Sequence, residues 1–539
     1  MITKQLRKKR IALPLILTGT LLLSACAANS QPMDHQGHDM GNMSQAPQQA
    51  TEAKTMSAAN DSAMEVLTGN TFTLTAKESM LHLDDNTMKT AWTYNGTVPG
   101  PQLRVKQGET VKILLQNQLP EPVTIHWHGL PVPNNMDGIP GITQNAVKPG
   151  ESFTYQFKVD VPGTYWYHSH QNGVVQVDKG LYGSLVVEPK EQQPVDKDYT
   201  LVVDEWLKVD SMAGMSHGGG HAGMSMSTTT SDHSSMMNSN SGEMPMSDAE
   251  MMPLMYTIFS ANGKTGSAIT PLMIKQGEKV RIRLINAGFL SHQLYLQGHE
   301  YKIVSTDGQP INNPPLVSGQ LLNIAPGERY DIEFVANNPG SWLLEERSSN
   351  PGAASLTVPI VYEGYETTKP KAEKSDLPLI DITKYGEAAK SNFSLDDSYD
   401  IEYTMDLNTE MKSGEMTFTI NGKTYPDTPP LQVKKGDLVK VKLVNKSPKD
   451  LHPMHLHGHF FQVLSKNGQP VSGSPLVKDT LNLLPGEEFV VAFIADNPGE
   501  WMFHCHDLGH AAQGMMSEVK YEGFQRDFVV DPTVNNKPE

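Results

Sequence analysis

Residues 431–437 read Leu431-Gln432-Val433-Lys434-Lys435-Gly436-Asp437, a short alternating apolar stretch followed by a Lys-x-Gly-acid turn. The same pattern occurs twice earlier, as Leu103-Arg104-Val105-Lys106-Gln107-Gly108-Glu109 and as Leu272-Met273-Ile274-Lys275-Gln276-Gly277-Glu278. The glycines of the three copies are 169 and 159 residues apart, and self-similarity at a near-constant spacing indicates repeated structural units. The chain is therefore predicted to contain three homologous domains.

A second element is repeated in the same order: Pro149-Gly150-Glu151, Pro326-Gly327-Glu328 and Pro485-Gly486-Glu487. From Phe72 onward, short alternating strands separated by Gly, Pro and Asn turns dominate, and no long helical period interrupts them. We therefore predict an all-β protein. The expected segments are domains at 66–190, 198–365 and 398–525, a linker at 366–397 and a C-terminal tail at 526–539.

The N-terminus carries an export signal. Five basic residues precede the apolar run from Ile11 to Ala25, which is too short to span a bilayer comfortably but fits the core of a signal peptide. The sequence Leu23-Ser24-Ala25-Cys26 resembles a bacterial lipobox, so residues 1–25 are predicted to be removed and Cys26 to be lipidated. Ordinary cleavage nearby, with a free cysteine, is the alternative. Residues 26–65 are predicted to form a flexible stalk containing Met and His, outside the cytoplasm.

Composition excludes several classes of function. The formal charge is −17 over 539 residues and becomes −22 without residues 1–25, which disfavours a nucleic-acid partner. Only Cys26 and Cys505 are present, so neither a disulfide scaffold nor a site with several thiolates is possible. The 44 glycines and 37 prolines suit turn-rich β domains rather than a helical bundle. We expect an acidic, extracytoplasmic monomer that is lipid-anchored to a bacterial membrane, at the cell surface or on the periplasmic side.

Ten of the 19 histidines fall in four clusters within the repeats. These are His126-Trp127-His128-Gly129, His168-Ser169-His170, the run from His452 to Gly458, and His504-Cys505-His506 continuing to His510. On a strand, residues i and i+2 point to the same face, so each His-x-His pair aims two imidazoles into one pocket. One such pair would be weak evidence for a metal site, but four pairs in register with the repeats predict metal binding.

Strand parity divides the ligands between two sites. Cys505 points away from His504 and His506, and His452 lies on the opposite face from His455 and His457. One site thus collects His452, Cys505 and His510, with Met515 available as an axial ligand, which is the blue-copper donor pattern. Zinc accepts the same donors, but the remaining histidines behind this site favour copper. These eight suit a cluster of three copper ions: His126, His128, His168, His170, His455, His457, His504 and His506.

The repeats test this division internally. Domain one has Ser169 in place of Cys505 and Val123 near the place of His452. Domain two has Glu345-Glu346-Arg347 in place of His504-Cys505-His506, and Tyr295 and Gln297 in place of His455 and His457. The cluster is therefore predicted at the interface of domains one and three, and His292 and His299 of domain two are interpreted as ordinary polar histidines.

Over residues 66–525, the four motifs and the threefold repeat resemble the three-cupredoxin-domain multicopper oxidases. The resemblance implies cupredoxin-like Greek-key β-barrels and four copper ions: one type 1, one type 2 and a type 3 pair. It implies His452, Cys505 and His510 on type 1 copper with Met515 axial, and His126 and His455 on type 2. The implied type 3 ligands are His128, His168, His170, His457, His504 and His506.

The resemblance also implies a reaction: four one-electron oxidations of substrate coupled to reduction of O2 to two waters, with electrons passing through Cys505 to His504 and His506. Asp137 matches the position of a buried acid that supplies protons, although Asp137-Gly138 is also an ordinary turn pair. Ala511 stands where several bacterial relatives have a second acid, so a second proton path would need other groups. Asp450 is either a carboxylate that receives Cu(I) or a solvated surface acid.

A methionine-rich insertion at 211–255 contains 11 Met and three His and lacks Lys and Arg. Thioether sulfur selects Cu(I), so the segment is interpreted as a Cu(I) recruiter, with a plain linker as the alternative.

The leading hypothesis is a Cu(I) oxidase in copper tolerance with side activity on phenols. A laccase acting on phenols or aromatic amines, and a copper-sequestering protein of another class, are the alternatives. A copper nitrite reductase is disfavoured because enzymes of that class lack the paired type 3 ligands that this chain carries.

Overall fold

The computed structural model describes residues 54–55, 64–191, 194–208, 247–370, 376–412 and 415–539. The predicted signal peptide, Cys26, nearly all of the stalk and residues 211–246 of the insertion lie outside this part of the chain. No helix among the described residues is both long and apolar enough to cross a membrane. Most described segments are strands, which pair into six sheets, and the all-β prediction is confirmed. We refer to the three successive pairs of sheets as domains one, two and three.

Domain one pairs a six-stranded sheet, in the order β1-β2-β5-β10-β9-β7, with a four-stranded sheet, β4-β3-β6-β8. Its strands are β1 Lys54–Thr55, β2 Val66–Thr68, β3 Thr71–His82, β4 Met88–Tyr94, β5 Gly100–Lys106, β6 Thr110–Asn117, β7 His126–His128, β8 Ser152–Lys158, β9 Gly163–His168 and β10 Tyr182–Glu188. Its helix is α1 Gly173–Gln176, and a 3₁₀ turn spans Asn134–Met136.

Domain two has a six-stranded sheet, β12-β11-β14-β19-β16-β17, and a five-stranded sheet, β13-β21-β20-β15-β18. Its strands are β11 Lys197–Leu207, β12 Tyr256–Ala261, β13 Leu272–Ile274, β14 Lys279–Asn286, β15 His292–Leu296, β16 Lys302–Thr306, β17 Gln309–Pro310, β18 Leu322–Ile324, β19 Arg329–Val335, β20 Ser341–Glu346 and β21 Thr357–Tyr362. Its helix is α2 Asp248–Met255, and 3₁₀ turns span Gly266–Ala268 and Ala353–Ser355.

Domain three has the sheets β23-β22-β25-β31-β27-β28, with β29 paired to β27, and β24-β33-β32-β26-β30. Its strands are β22 Ile401–Lys412, β23 Glu415–Ile420, β24 Leu431–Val433, β25 Leu438–Asn445, β26 His452–Leu456, β27 Phe461–Lys466, β28 Gln469–Pro470, β29 Leu476–Lys478, β30 Thr480–Leu483, β31 Glu488–Ile494, β32 Glu500–Cys505 and β33 Met516–Tyr521. Its helix is α3 Leu508–Ala512, and the 3₁₀ turn Ile382–Lys384 precedes the domain.

The alternating sequence explains why the sheets pack face to face. Along β25, every second side chain is buried, and β6 shows the same alternation, as expected for strands with one face on a core. Large aromatic side chains fill these cores, including Trp127, Trp166 and Trp501, each no more than 1% exposed. Each such side chain removes enough apolar area from water to contribute roughly 2–3 kcal/mol.

The segment predicted as a C-terminal tail packs along domain one. Lys148 forms an ion pair with Asp531 (2.9 Å), and the side-chain amide of Gln171 donates to the carbonyl oxygen of Asn535 (2.7 Å). Gln171 also pairs through its backbone with Pro538. The described residues of this segment therefore cover the surface beside the second histidine cluster.

Candidate metal centres

Strand register brings the histidine clusters together in pairs. In domain one, β7 runs antiparallel to β9 and places His126 opposite His168. In domain three, β26 runs antiparallel to β32 and places His455 opposite His504, and Met454 opposite Cys505. All ten predicted histidine ligands are at most 2% exposed. The equivalence of the two strand pairs is the one predicted from the repeats.

The first centre consists of His452, Cys505 and His510. The two Nδ1 atoms lie 3.2 Å apart, and Cys505 Sγ lies 3.8 Å from Nδ1 of His452 and 3.7 Å from Nδ1 of His510. Met515, also fully buried, lies beside them: the Cys505 N–H donates to the Met515 carbonyl oxygen and the Met515 N–H to the His510 carbonyl oxygen, both at 3.0 Å. Met516 instead packs in a separate small cluster with Ala511. The geometry therefore brings three predicted donors together and places the backbone of Met515 next to them.

Neighbouring groups fix both rings of this centre. Ser447 Oγ lies 2.7 Å from Nε2 of His452, which leaves Nδ1 of that ring to face Cys505. The Asp507 carboxylate caps α3 by accepting from the backbone N–H of Gly509 (3.1 Å) and His510 (3.3 Å). Phe418 stacks on the His510 ring with centroids 3.9 Å apart. The ligand positions are thus held by the protein itself.

The other eight histidines meet where domains one and three face each other. Three sets have nitrogen atoms within 4.8 Å of one another: His126, His128 and His455; His128, His168 and His506; and His170, His457 and His504. Rings from different domains stack directly, with His128 and His455 centroids 3.7 Å apart and His126 and His457 centroids 4.0 Å apart. Domain two supplies none of these imidazoles.

Backbone carbonyl groups determine the tautomers. A carbonyl oxygen only accepts, so a ring Nδ1 that contacts one carries the proton. The four pairs are His126 with Asp137 O (2.9 Å), His168 with Ser169 O (2.9 Å), His455 with Asp479 O (3.0 Å) and His504 with Cys505 O (2.8 Å). In each of these rings, Nε2 therefore presents a lone pair.

Those lone pairs suit a metal ion. The Nε2 atoms of His126, His168 and His455 are buried and have no hydrogen-bond partner among the described residues. His457 donates from Nδ1 to the Asp137 carboxylate (3.0 Å), so its Nε2 and that of His504, 3.0 Å apart, face each other as two acceptors. Converging acceptors without a proton between them repel each other, and a shared cation removes that repulsion.

His128 presents its other nitrogen. Thr480 Oγ1 donates to Asp479 Oδ1 (2.8 Å), so the same hydroxyl oxygen accepts from Nε2 of His128 (3.0 Å). Nδ1 of His128 is left without a hydrogen-bond partner among the residues that the structure describes. The donor atom of this ring thus differs from that of His126, although both lie on β7.

Burial keeps the imidazoles neutral, which is the form that binds metal. Burial lowers the pKa of His504 to about 3 and that of His510 to about 4. It also lowers the pKa values of these rings well below the usual value: His128, His168, His170, His452, His457 and His506. Neutral, convergent and partly unpartnered nitrogens together fit the predicted metal ions.

Asp137 lies beside the cluster, as predicted. Its side chain is 1% exposed; one carboxylate oxygen accepts from Nδ1 of His457 (3.0 Å) and the other lies 3.2 Å from Nδ1 of His126. The turn interpretation also holds, because Gly138 has a φ of 82° and a Cβ there would lie 1.8 Å from the carbonyl oxygen of Ile125. The turn aims the carboxylate at the two rings.

Domain two has the same strand pairing as the first centre but different side chains at the ligand positions. Leu294 pairs with Glu346, as Met454 pairs with Cys505 in domain three, so Glu346 stands in the place of Cys505 and His292 in that of His452. His292 lies between two carboxylates, with Nδ1 3.1 Å from Glu346 and Nε2 3.2 Å from Glu205. His292 therefore forms buried ion pairs, whereas the sequence predicted an ordinary polar histidine.

Three sets of functional residues were missed from the sequence. Asp479 and Thr480 contact His128 and His455 but belong to no histidine cluster. Glu539 Oε1 lies 2.8 Å from Nε2 of His170, and burial raises the pKa of the Glu539 carboxyl to about 7. Asp248 lies in the described end of the insertion. No local pattern marks these residues, since each depends on a contact distant in sequence.

A cavity of about 440 Å³ opens beside His510. The carboxylates of Asp248 and Asp507 lie 3.7 and 3.5 Å from Nε2 of His510, and Asp450 and Met252 also line the cavity. Asp450 is 1% exposed, so its interpretation as a solvated surface acid is wrong. The outer edge of His510 is thus lined by three acids and a thioether.

Comparisons with known proteins agree with this geometry. Family models described as multicopper oxidase match residues 75–192, 197–362 and 398–523. The chain is 30% identical to multicopper oxidase MmcO of Mycobacterium tuberculosis, over 84% of this chain and 87% of that protein. It is 26% identical to a copper resistance protein A homolog of Pseudomonas syringae pv. tomato, over 85% and 93%. A multi-copper oxidase structure from Pseudomonas thermotolerans matches with a TM-score of 0.61 and 27% identity, over 85% of this chain and all of that one. The chain therefore belongs to the multicopper oxidase family, with cupredoxin-like all-β domains and copper as its cofactor.

Proposed function

We propose that this oxidase acts on Cu(I), and that four copper ions serve it. In this proposal His452, Cys505, His510 and Met515 hold type 1 copper, and His126 and His455 hold type 2 copper. The type 3 pair is held by His128, His168, His170, His457, His504 and His506. Bound copper would supply one-electron redox chemistry, by which four Cu(I) ions give up one electron each and one O2 takes up four electrons and four protons to yield two waters.

The cavity at His510 is the observation that carries the Cu(I) proposal. Three buried carboxylates attract a cation, and the thioether of Met252 is a soft donor that favours Cu(I) over harder ions. Helix α2, which brings Asp248 and Met252 to this place, contacts domain three at the ion pair of Glu250 with Lys449 (2.5 Å). The methionine-rich residues 211–246 directly precede this helix in sequence, and in this proposal they deliver Cu(I) to the cavity.

The residues around the two centres have separate tasks. Cys505 is bonded through the backbone to His504 and His506, so the first centre and the cluster are one residue apart along the chain. This covalent connection suits electron transfer from the centre that meets substrate to the centre that meets O2. Asp137 orients His457 and His126 and stands where protons are consumed. Ala511 packs among Ile139, Ile142 and Met516, so this apolar position supplies no acid.

The test compares kcat/KM for Cu(I) and for a phenol in wild type and in two variants. Deleting residues 211–246 spares α2, and Asp248→Asn removes one carboxylate of the cavity while keeping its shape. We expect kcat/KM for Cu(I) to fall about tenfold or more in each, because thioether ligands and an acidic cavity both concentrate the cation. The kcat/KM for a neutral phenol should stay within a factor of about two. If phenol oxidation falls and Cu(I) oxidation does not, the laccase hypothesis replaces this one.

We also propose that the protein is an extracytoplasmic lipoprotein, anchored through Cys26, and a monomer. The basic, apolar and lipobox-like segments of residues 1–26 support the anchor. Cys26→Ser should move the protein from the membrane fraction to the soluble fraction after export. Retention of the Cys26→Ser variant in the membrane fraction would exclude this anchor, and light scattering of the released protein measures its oligomeric state.

A further inference from the structure

The repeated Pro-Gly-Glu turn has a different environment in domain two. Gly150, Gly327 and Gly486 share a left-handed backbone, with φ of 80°, 83° and 77°. A Cβ on Gly150 or Gly486 would meet nothing within 4 Å. A Cβ on Gly327 would lie 2.9 Å from Cγ of His506 and 3.1 Å from Cε1 of His128. Only the second copy of the turn packs against imidazoles of the eight-histidine cluster.

Two residues later, Arg329 connects the same turn to domain three. Its guanidinium is fully buried and donates to both carboxylate oxygens of Asp479, at 2.7 and 2.6 Å. It also donates to the carbonyl oxygen of Thr164 on β9 of domain one (3.2 Å). A planar guanidinium matches a carboxylate at two points, so this pair holds Asp479 in one orientation.

Asp479 in turn contacts two rings of the cluster. Its carbonyl oxygen accepts from Nδ1 of His455 (3.0 Å), and its Oδ1 lies 3.3 Å from Nε2 of His128. Thr480 Oγ1, which donates to that carboxylate, accepts from His128. The rings of His455 and His128 are therefore oriented by Asp479 and Thr480, and Arg329 of domain two holds the Asp479 carboxylate in place.

The surrounding charges show how strongly this arrangement is specified. Asp307 accepts from the backbone N–H of Arg329 (2.9 Å) and of Thr480 (3.2 Å). Lys478 forms ion pairs with Asp307 and Glu328, both at 3.1 Å. Buried charged groups of this kind add less to stability than well-packed apolar side chains would. They fix the positions of the side chains around them, because a buried charge without its partner is strongly destabilising.

We propose that the domain-two turn from Pro326 to Arg329 positions the copper-binding imidazoles, although domain two contributes no ligand. Gly327 sets the distance of the His506 and His128 rings, and Arg329 acts through Asp479 to orient His455 and His128. Gly327, Arg329 and Asp479 are positioning residues, and His128, His455 and His506 are the ligands that they position. The inference rests on the proposed function only in that the eight histidines bind copper.

The glycine repeat provides matched variants. Gly150→Ala, Gly327→Ala and Gly486→Ala impose similar backbone strain, because all three positions have similar φ. We expect Gly327→Ala alone to weaken copper binding by the cluster about 10- to 100-fold, as losses of outer-sphere support do. The readouts are copper content after dialysis against a chelator, the type 2 EPR signal and the near-ultraviolet type 3 band. The blue absorption of the Cys505 centre should remain in all three variants.

A second pair of variants separates positioning from stability. Arg283 is another buried arginine of domain two; it binds both carboxylate oxygens of Asp198 and contacts Thr164, but neither Asp479 nor a cluster histidine. Arg329→Lys and Arg283→Lys should lower the melting temperature of the copper-free protein to a similar extent. Only Arg329→Lys should change the type 2 EPR parameters of the copper-loaded protein.

The outcomes distinguish this inference from the proposed function. If wild type binds no copper at the eight histidines, the proposed function fails. If wild type binds copper there and Gly327→Ala matches Gly150→Ala and Gly486→Ala in copper content and spectra, the positioning role of Gly327 is overturned. If Arg329→Lys has the EPR signal of wild type, the role of Arg329 is overturned.

Discussion

His292 and Glu346 form a buried ion pair at the strand positions where domain three has His452 and Cys505. Burial opposes the charge on His292, but its hydrogen bonds to Glu205 and Glu346 raise its pKa to about 10 from an ordinary value of 6.5. Domain two has thus kept the imidazole of a cupredoxin-type site and balanced it with carboxylates. The cation contributes to the stability of this domain.

The first prediction is a pH-dependent loss of stability in His292→Gln. Because the folded pKa is raised, the stabilisation is complete below pH 6.5 and is lost as the pH rises through about 10. The variant leaves two carboxylates buried without their cation, so we expect its free energy of unfolding at pH 6.5 to be roughly 3–5 kcal/mol lower. Denaturant titrations of both proteins should show this difference shrinking towards pH 10.

His299→Gln is the matched control for that prediction. Nε2 of His299 lies 2.7 Å from the Tyr362 hydroxyl, and burial lowers the pKa of this ring, so it carries no charge over the same pH range. Its effect on stability should not change between pH 6.5 and 10. A pH-independent difference for His292→Gln as well would mean that His292 is neutral in the folded protein.

The second prediction concerns colour. A thiolate bound to Cu(II) gives an intense charge-transfer band, and Cys505 is the only cysteine among the described residues. Cys505→Ser should abolish the blue colour and the oxidase activity while the chain stays folded and the eight-histidine cluster still binds copper. Absorption and circular dichroism spectra, with copper analysis, check this. A colourless, copper-loaded wild type with full activity would contradict the assignment.

The third prediction concerns the axial ligand. Met515 is buried with Cys505, and a weak axial donor tunes the potential of a blue-copper site. Met515→Leu should keep the blue colour and raise the reduction potential, at a cost in stability below about 1.5 kcal/mol because the volume is conserved. Met516→Leu is the control, since Met516 packs in the other cluster. If only Met516→Leu shifts the potential, the axial assignment moves to Met516.

The fourth prediction concerns protons. Asp137→Asn keeps the shape of the side chain beside His457 but removes its charge and basicity. Reduction of the blue centre by substrate should be unchanged, whereas its reoxidation by O2 should slow by about 10²- to 10⁴-fold. Stopped-flow absorbance measures both steps separately. The control is Asp160→Asn, at an exposed acid paired with Lys158, which should leave both rates unchanged. Equal reoxidation rates in Asp137→Asn and wild type would exclude the proton role of Asp137.

The sequence by itself determined the all-β class, the threefold repeat and the division of the ligands. Side chains alternate between the faces of a strand, so the spacing of His504, Cys505 and His506 already separates the thiol from its neighbours. The copies of the repeat then show which positions lost their imidazoles, as at Tyr295 and Gln297. These relationships are local: the direction of each side chain follows from the strand that carries it and does not depend on how the domains pack.

Only the tertiary structure decided what stands behind the ligands. His128 meets Thr480 across 352 residues of sequence, and Arg329 of domain two meets Asp479 of domain three. The Gly327 turn has the same sequence pattern as the turns at Gly150 and Gly486, yet only Gly327 touches the imidazoles. Contacts of this kind depend on how complete domains pack against one another, and local periodicity carries no information about that packing.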